Sequence, residues 1–275
     1  MSGENRPAER WALILGVSAG TGAAIAQAVA RDPGLHVVGI HRGNHPAEAE
    51  KVEAVVRSAG RRVVLHVGDA GRPENIDACA SFVKEVTGTR GVGLMVHSLS
   101  GASIGHFLDT RGDAFHRKQF EKTFNCMAHS FAYWARTLHE QDMLASNARL
   151  LGLTNALHDH VLHNCGLVAA AKAALQIYAR YLAIELGAFG HRVNLLQFGT
   201  VITPAVEKVM GPQALARQDA VHREMIPAGR MQTVEEVARF VSVLAGDAGA
   251  WFNGATIDFT GGLTLRLFDM VLQPD

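Results

Sequence analysis

Short, almost uninterrupted apolar runs recur along the chain and alternate with stretches that are apolar on one side only. WALILGV (11–17), HVVGI (36–40), RRVVLHV (61–67), VGLMVHS (92–98), ARLLGLT (148–154), RVNLLQF (192–198) and ATIDFT (255–260) read as strands. Runs that are apolar throughout suit a parallel sheet covered on both faces. Between them GAAIAQAVARD, PENIDACASFVKEVT, AAAKAALQIYARYLAIELG and TVEEVARFVSVLAG read as amphipathic helices. Strand alternating with helix predicts right-handed crossovers and an α/β, doubly wound, mostly parallel sheet of seven strands with helices on both faces. No repeat, low-complexity stretch or linker divides the chain. Residues 1–10 (MSGENRPAER) are read as a flexible tail and 11–275 as one domain. The segment 204–228 is longer than a plain crossover and is expected to cover a substrate pocket.

Composition narrows the function classes. The chain has 275 residues, 48% of them hydrophobic and 19% charged, enough for a full core. Lys+Arg and Asp+Glu number 26 each, which gives no electrostatic reason to expect nucleic acid or an anionic membrane as partner. The polar start has no apolar signal-peptide core, and no uncharged apolar stretch approaches the roughly 18 residues of a membrane span. Cys79, Cys126 and Cys165 are odd in number and far apart, which points to a reducing, cytoplasmic setting and argues against zinc. Fourteen histidines are many, but none has metal-ligand spacing; HDHVLH (158–163) imitates a metal site without meeting that test.

Directly after the first strand comes Gly16-Val17-Ser18-Ala19-Gly20-Thr21-Gly22, and a helix follows at once. Glycines there allow a tight turn and let backbone N–H groups reach a pyrophosphate at the positive helix end. Gly16, Ser18, Gly20, Thr21 and Gly22 are therefore candidate cofactor contacts, in the place a Rossmann-type fold needs them. The second strand ends in His41-Arg42. An acidic residue there would accept from the ribose hydroxyls of NAD, whereas an Arg offers a planar cation to the 2′-phosphate of NADP. NADPH is the expected cofactor. Asp69, just past the third strand, is either an adenine contact or a loop cap.

In order and spacing these features resemble the short-chain dehydrogenase/reductase family, from Trp11 to about Leu265. Asn125 in KTFNCMAHS falls at the family's helix-four Asn, and Lys172 in AAAKAALQIYARYLAIELG at its catalytic Lys. RVN (192–194) with Gly199-Thr200-Val201-Ile202-Thr203 looks like the family's RVN…PGxxxT segment, Phe198 replacing the Pro. GRMQTVEEVARFVSVLA and DFTGG look like its C-terminal signature. His97-Ser98-Leu99-Ser100 replaces the usual NNAG and is similar to the strand end of enoyl-acyl-carrier-protein reductases, as is PAGRM (227–231). The resemblance implies that Lys172 holds the nicotinamide ribose, that Val201 and Thr203 meet the carboxamide, that Ser98 lies among the cofactor contacts, and that Asn125 sits on a proton relay. It also implies a homo-dimer or homo-tetramer built through the helices bearing Asn125 and Lys172.

Departures from the family pattern matter more. Its YxxxK tyrosine corresponds to Val168, the enoyl-reductase tyrosine to Cys165, and the family's Ser to Asn155. Hydride delivery to a carbonyl builds negative charge on oxygen, and a positioned acid there is worth roughly 10²–10⁴ in rate. Cys165, or a histidine among His158, His160 and His163, could donate instead; Asn155 could orient a carbonyl. Alternatively the substrate activates itself through an adjacent phenol or enol hydroxyl, as in aromatic polyketides. The chain is similar in this respect to angucyclinone ketoreductases of antibiotic biosynthesis, which likewise lack the Ser–Tyr pair. The reading is NADPH-dependent reduction of a ketone on a polycyclic aromatic substrate. Enoyl-thioester reduction and non-catalytic dinucleotide sensing are its alternatives. Phe120, Trp134, Met210 and Met225 are read as core or lid packing rather than pocket lining.

Overall fold

The computed structural model describes residues 9–108, 112, 114–155, 163–263 and 265, with side chains at all of these except 205 and 208–210. Seven parallel strands form one sheet: β1 (Trp11–Leu15), β2 (His36–His41), β3 (Val63–Val67), β4 (Val92–His97), β5 (Leu144–Thr154), β6 (Arg192–Phe198) and β7 (Thr256–Phe259). Their order is β3-β2-β1-β4-β5-β6-β7, with every neighbouring pair parallel. The order reverses between β1 and β4, and the crevice past the C-terminal strand ends at such a point is where doubly wound sheets bind ligands.

Apolar strands need cover on both sides, and two helical layers supply it. One packs α3 (Pro73–Thr87), α5 (Ser130–Glu140) and α6 (Gly166–Gly187) through Ile76, Val83, Phe131, Trp134 and Leu175. The other packs α1 (Gly20–Arg31), α2 (Pro46–Ser58) and α8 (Val234–Ala245) through Ile25, Val29, Val52, Val237 and Val241. Each large side chain buried in these layers stabilises by roughly 1.5–3 kcal/mol. Trp134 is core, as expected, and its indole N–H donates to the Ala70 carbonyl at 3.0 Å. Asn194 of the RVN stretch ties the last strands together. Its amide donates to Phe252 O at 2.8 Å and accepts from Ala255 N at 3.0 Å.

By length and composition α6 could cross a membrane. Its apolar character has a simpler origin, since Leu167, Ala171, Leu175, Ala179 and Ala183 are buried in the layer against the sheet. Two residues of the expected tail are tied into the fold. Glu9 pairs with Arg62 at 2.7 Å, and the Arg10 carbonyl accepts from His36 N at 3.0 Å, extending the β1–β2 ladder by one residue. Residues 1–8, His158, His160 and the Met210 side chain lie outside the described residues.

Candidate functional site

The turn after β1 is built by what its glycines lack. Gly16 has φ +92°, and a side chain there would strike the Ser98 carbonyl. A side chain on Gly22 would strike the carbonyl of Gly16, so α1 can start this close to β1 only with hydrogen at that position. Ser98 N donates to Leu15 O at 2.9 Å, which fixes the end of β4 beside the turn. Thr203 caps α7 (Pro204–Met225) by accepting from Val206 N at 3.3 Å, and it lies against Gly20. The loop after β6 therefore closes over the glycine turn, bringing Gly16, Ser18, Gly20, Thr21, Gly22, Ser98 and Thr203 together as the sequence suggested.

A cleft of about 130 Å³ beside this turn is lined by Gly16, Ser18, Arg42, Asp69, Ser98 and Cys126, among others. Arg42 is exposed at the end of β2 and, among the described residues, has no ion pair. His41 is buried, its Nδ1 accepts from Gly43 N at 3.2 Å, and burial, with His66 nearby, lowers its pKa. Asp69 accepts from Gly71 N at 3.1 Å and pairs with Arg72 at 3.4 Å, so it caps its loop while facing the cleft. A larger hollow of about 440 Å³ lies away from this turn, between α8 and β7, lined by Arg230, Glu236, Phe240 and Phe259. None of the expected site residues lines it, so the smaller cleft is the one with chemistry.

At the carboxyl end of β5 the α6 layer supplies the cation. Lys172 is 5% exposed and its ammonium donates to the Leu153 carbonyl at 2.7 Å. Burial lowers its pKa to about 8, with the neighbouring Cys126 pulling the other way. Asn125 opens a π-helical turn, Asn125–His129, between α4 (Arg117–Phe124) and α5; such bulges rotate side chains out of the regular helical register. The Cys126 thiol lies against Gly71 and Gly101, and burial raises its pKa. Behind it, Ser130 donates to Cys126 O at 3.0 Å and so accepts from His97 Nε2 at 2.8 Å. His97 is thus neutral, its pKa pushed down to about 3 by burial and then by Lys172.

The expected donor positions differ in character. Val168, one turn before Lys172, is buried apolar packing. Cys165 is the N-cap residue of α6, and burial raises its thiol pKa, which weakens it as an acid. Asn155 follows β5, half-buried. His163 is exposed and its ring stands edge-on to His106 at 5.4 Å. All three tyrosines are elsewhere. Tyr178 bonds His129 Nδ1 at 3.0 Å, Tyr133 packs near the same ring, and Tyr181 is 69% exposed. The sequence drew no attention to Gln218 and His222 of α7. Their only signal is polarity four residues apart on the inward side of an otherwise ordinary helix.

The geometry fits a dinucleotide: a backbone cradle a Cβ would fill, a free guanidinium at the end of β2 and a buried ammonium at the end of β5. Comparison with known proteins agrees. A protein-family model described as enoyl-(acyl carrier protein) reductase matches residues 16–264. A dehydrogenase of Cochliobolus heterostrophus is 34% identical over 123 residues, 44% of this chain and 53% of the relative. Versicolorin reductase of Emericella nidulans is 28% identical over 260 residues, covering 91% of this chain and 94% of that protein. L-sorbose reductase from Gluconobacter frateurii, solved with NADPH and L-sorbose, superposes with a TM-score of 0.81 at 22% identity, covering 94% of this chain and 98% of that one.

Proposed function

The chain belongs to the short-chain dehydrogenase/reductase family, and on that premise we propose that it uses NADPH to reduce a ketone on a bulky aromatic, polyketide-like substrate that supplies much of its own carbonyl activation. The observation that carries this reading is the pairing of a buried Lys172, bound to the Leu153 carbonyl, with a site from which all three tyrosines are absent.

Residue roles follow from position. Gly16, Ser18, Gly20, Thr21 and Gly22 would cradle the pyrophosphate, with Ser98 against the same turn. His41 and Arg42 would receive the 2′-phosphate, and Asp69 the adenine amino group. Val201 and Thr203 would meet the carboxamide. NADPH supplies the hydride. Lys172 keeps one N–H on Leu153 O and has two more for ribose hydroxyls. Asn125, at the start of the π turn, would serve a proton relay. Negative charge building on the substrate oxygen is met first by the substrate's own neighbouring hydroxyl, already within hydrogen-bond reach. Apolar side chains exposed past the ends of β4 and β6, Ile104, Phe107, Leu108 and Ile202, suit a large apolar ligand. Phe115 stands edge to face against both Phe107 and Phe120 at 5.4 and 5.9 Å.

Oxidation of NADPH, followed by absorbance, separates the possibilities. A hydroxylated polycyclic ketone should be reduced, and its O-methyl ether at the adjacent hydroxyl should be slower by about 10²-fold or more, the weight of a positioned acid. Equal rates would remove self-activation. Cys165→Ala and His163→Ala should each change turnover by no more than a few-fold; a larger loss would return the proton to that side chain. Enoyl-thioester reduction is the second reading, favoured by His97-Ser98 and the description of the matching family model. Turnover of an enoyl thioester in preference to every ketone would select it.

A further inference from the structure

The lid helix carries a polar pair that the roles above leave unused. Gly211 interrupts α7 with φ 70° and ψ 167°, and Pro212 follows, so 212–225 is a separate helical segment. Its inward stripe runs Leu215, Gln218, His222, Met225, three or four residues apart. Two of those four positions are polar where the packing asks for apolar side chains.

His222 is 5% exposed, and its Nδ1 lies 2.7 Å from the Gln218 carbonyl. A carbonyl only accepts, so Nδ1 carries the hydrogen, and in that tautomer of imidazole Nε2 is a bare acceptor. That nitrogen is buried and unpartnered among the described residues. Gln218 donates through Nε2 to Thr200 Oγ1 at 2.6 Å, and its Oε1 is likewise buried and unpartnered. Thr200 directly precedes Val201, in the loop that closes over the glycine turn. The segment thus carries two orphan acceptors one turn apart, with Gln218 bonded to the cofactor loop. A buried acceptor without a donor is costly, and native proteins keep few of them. Both orphans ask for the same thing, a hydrogen-bond donor.

We propose that His222 and Gln218 form a subsite for a substrate hydroxyl remote from the reacting carbonyl, completed when the lid closes on a hydroxylated aromatic ligand. The substrate class rests on the ketone reading above; the subsite itself is tested by binding alone. The probes are a trihydroxyanthraquinone with one hydroxyl remote from both carbonyls, and its methyl ether at that hydroxyl. Each is titrated calorimetrically into the NADP⁺-loaded protein. Wild type should bind the free hydroxyl about tenfold more tightly, the size of one hydrogen bond to a buried group. His222→Leu should abolish that preference and Gln218→Leu should reduce it, with the circular dichroism spectrum unchanged in both and the affinity for NADPH unchanged in His222→Leu. The proposal is overturned if wild type does not distinguish the probes, or if either folded variant keeps the full preference. A chain that distinguishes them yet oxidises NADPH with no ketone retains the subsite and loses the ketoreductase reading. One that reduces ketones but binds both probes equally loses the subsite alone.

Discussion

Lys172 shows how one residue ties fold stability to chemistry. In water a lysine titrates near 10.5, whereas burial brings this one down to about 8. Between those values the unfolded chain holds a proton that the folded chain has released. Stability therefore rises with pH across about 8 to 10.5, and the penalty is fully present below that window. Urea midpoints for wild type minus those for Lys172→Met should climb with pH across it; a flat difference would mean the ammonium is better solvated than its burial implies. Catalysis should run the opposite way. The ammonium is the form that donates to Leu153 O and to a ribose, so kcat/KM should fall as pH passes about 8. His97 cannot confuse the profile, since its pKa near 3 keeps it neutral throughout. The glycine turn is equally strict at this scale. Gly22→Ala puts a methyl group into the Gly16 carbonyl, so α1 must back away from β1. NADPH affinity, read by fluorescence titration, should drop by at least about tenfold, together with a destabilisation of about 1–3 kcal/mol. Unchanged affinity would show that the pyrophosphate does not sit there.

Among the elements, what could be read in advance divides along a physical line. Strands buried on both faces are apolar nearly throughout, so β1, β2, β4 and β6 lie where their apolar runs are, within a residue or two of each bound; β7, at the sheet's edge and only partly buried, lies within its run too. β5 begins at Leu144, four residues before its apolar run. Ser146 and Asn147 interrupt the pattern, and Asn147 sits at φ 55° where the β4–β5 register shifts. The helices α1, α3, α6 and α8 announced themselves by periodicity, and α8 also by the Thr233–Glu236 capping box. The π turn left no such trace, because a single extra residue per turn has no composition of its own. Much of the site was legible for the same reason the fold was. The cradle is backbone geometry written in glycine, and Lys172 is a charge placed on a buried helix face. The proton donor was not legible, because that role can pass among side chains of several loops, or to the ligand. The segment 204–228 stood out only as surplus length; the break in α7 at Gly211 and the unpartnered acceptors on it are tertiary facts. Gly211→Ala opposes a φ of 70° and should destabilise the second half of α7 without touching the cradle. Hydrogen exchange should quicken over 212–225 and stay unchanged over β1 and α1.

At the scale of the whole molecule the unresolved demand is on the outside of α6. Its inner face is covered by the sheet, and Lys172, Leu175, Ala179 and Ala183 are buried there. Its outer face carries Ile177, Tyr181 and Ile184 at 47%, 69% and 78% exposure, spaced four and three residues apart in a single apolar stripe. That double-sided character is why the helix passes for a membrane span by composition, although Lys172 is held at the carboxyl end of β5 by the Leu153 carbonyl. A lone chain leaves such a stripe in water, whereas a second copy related by a two-fold axis covers both stripes with the same residues. We predict self-association through α6, measured by light scattering across a dilution series. Ile184→Asp, which puts a charge at the most exposed position of the stripe, should lower the assembly's mass at least two-fold. NADPH affinity should be unaffected, since Ile184 faces solvent more than three turns, about 18 Å, along the helix from the buried Lys172. A wild type that is monomeric at every concentration would mean that the stripe is tolerated in water, and that the site is complete within one chain.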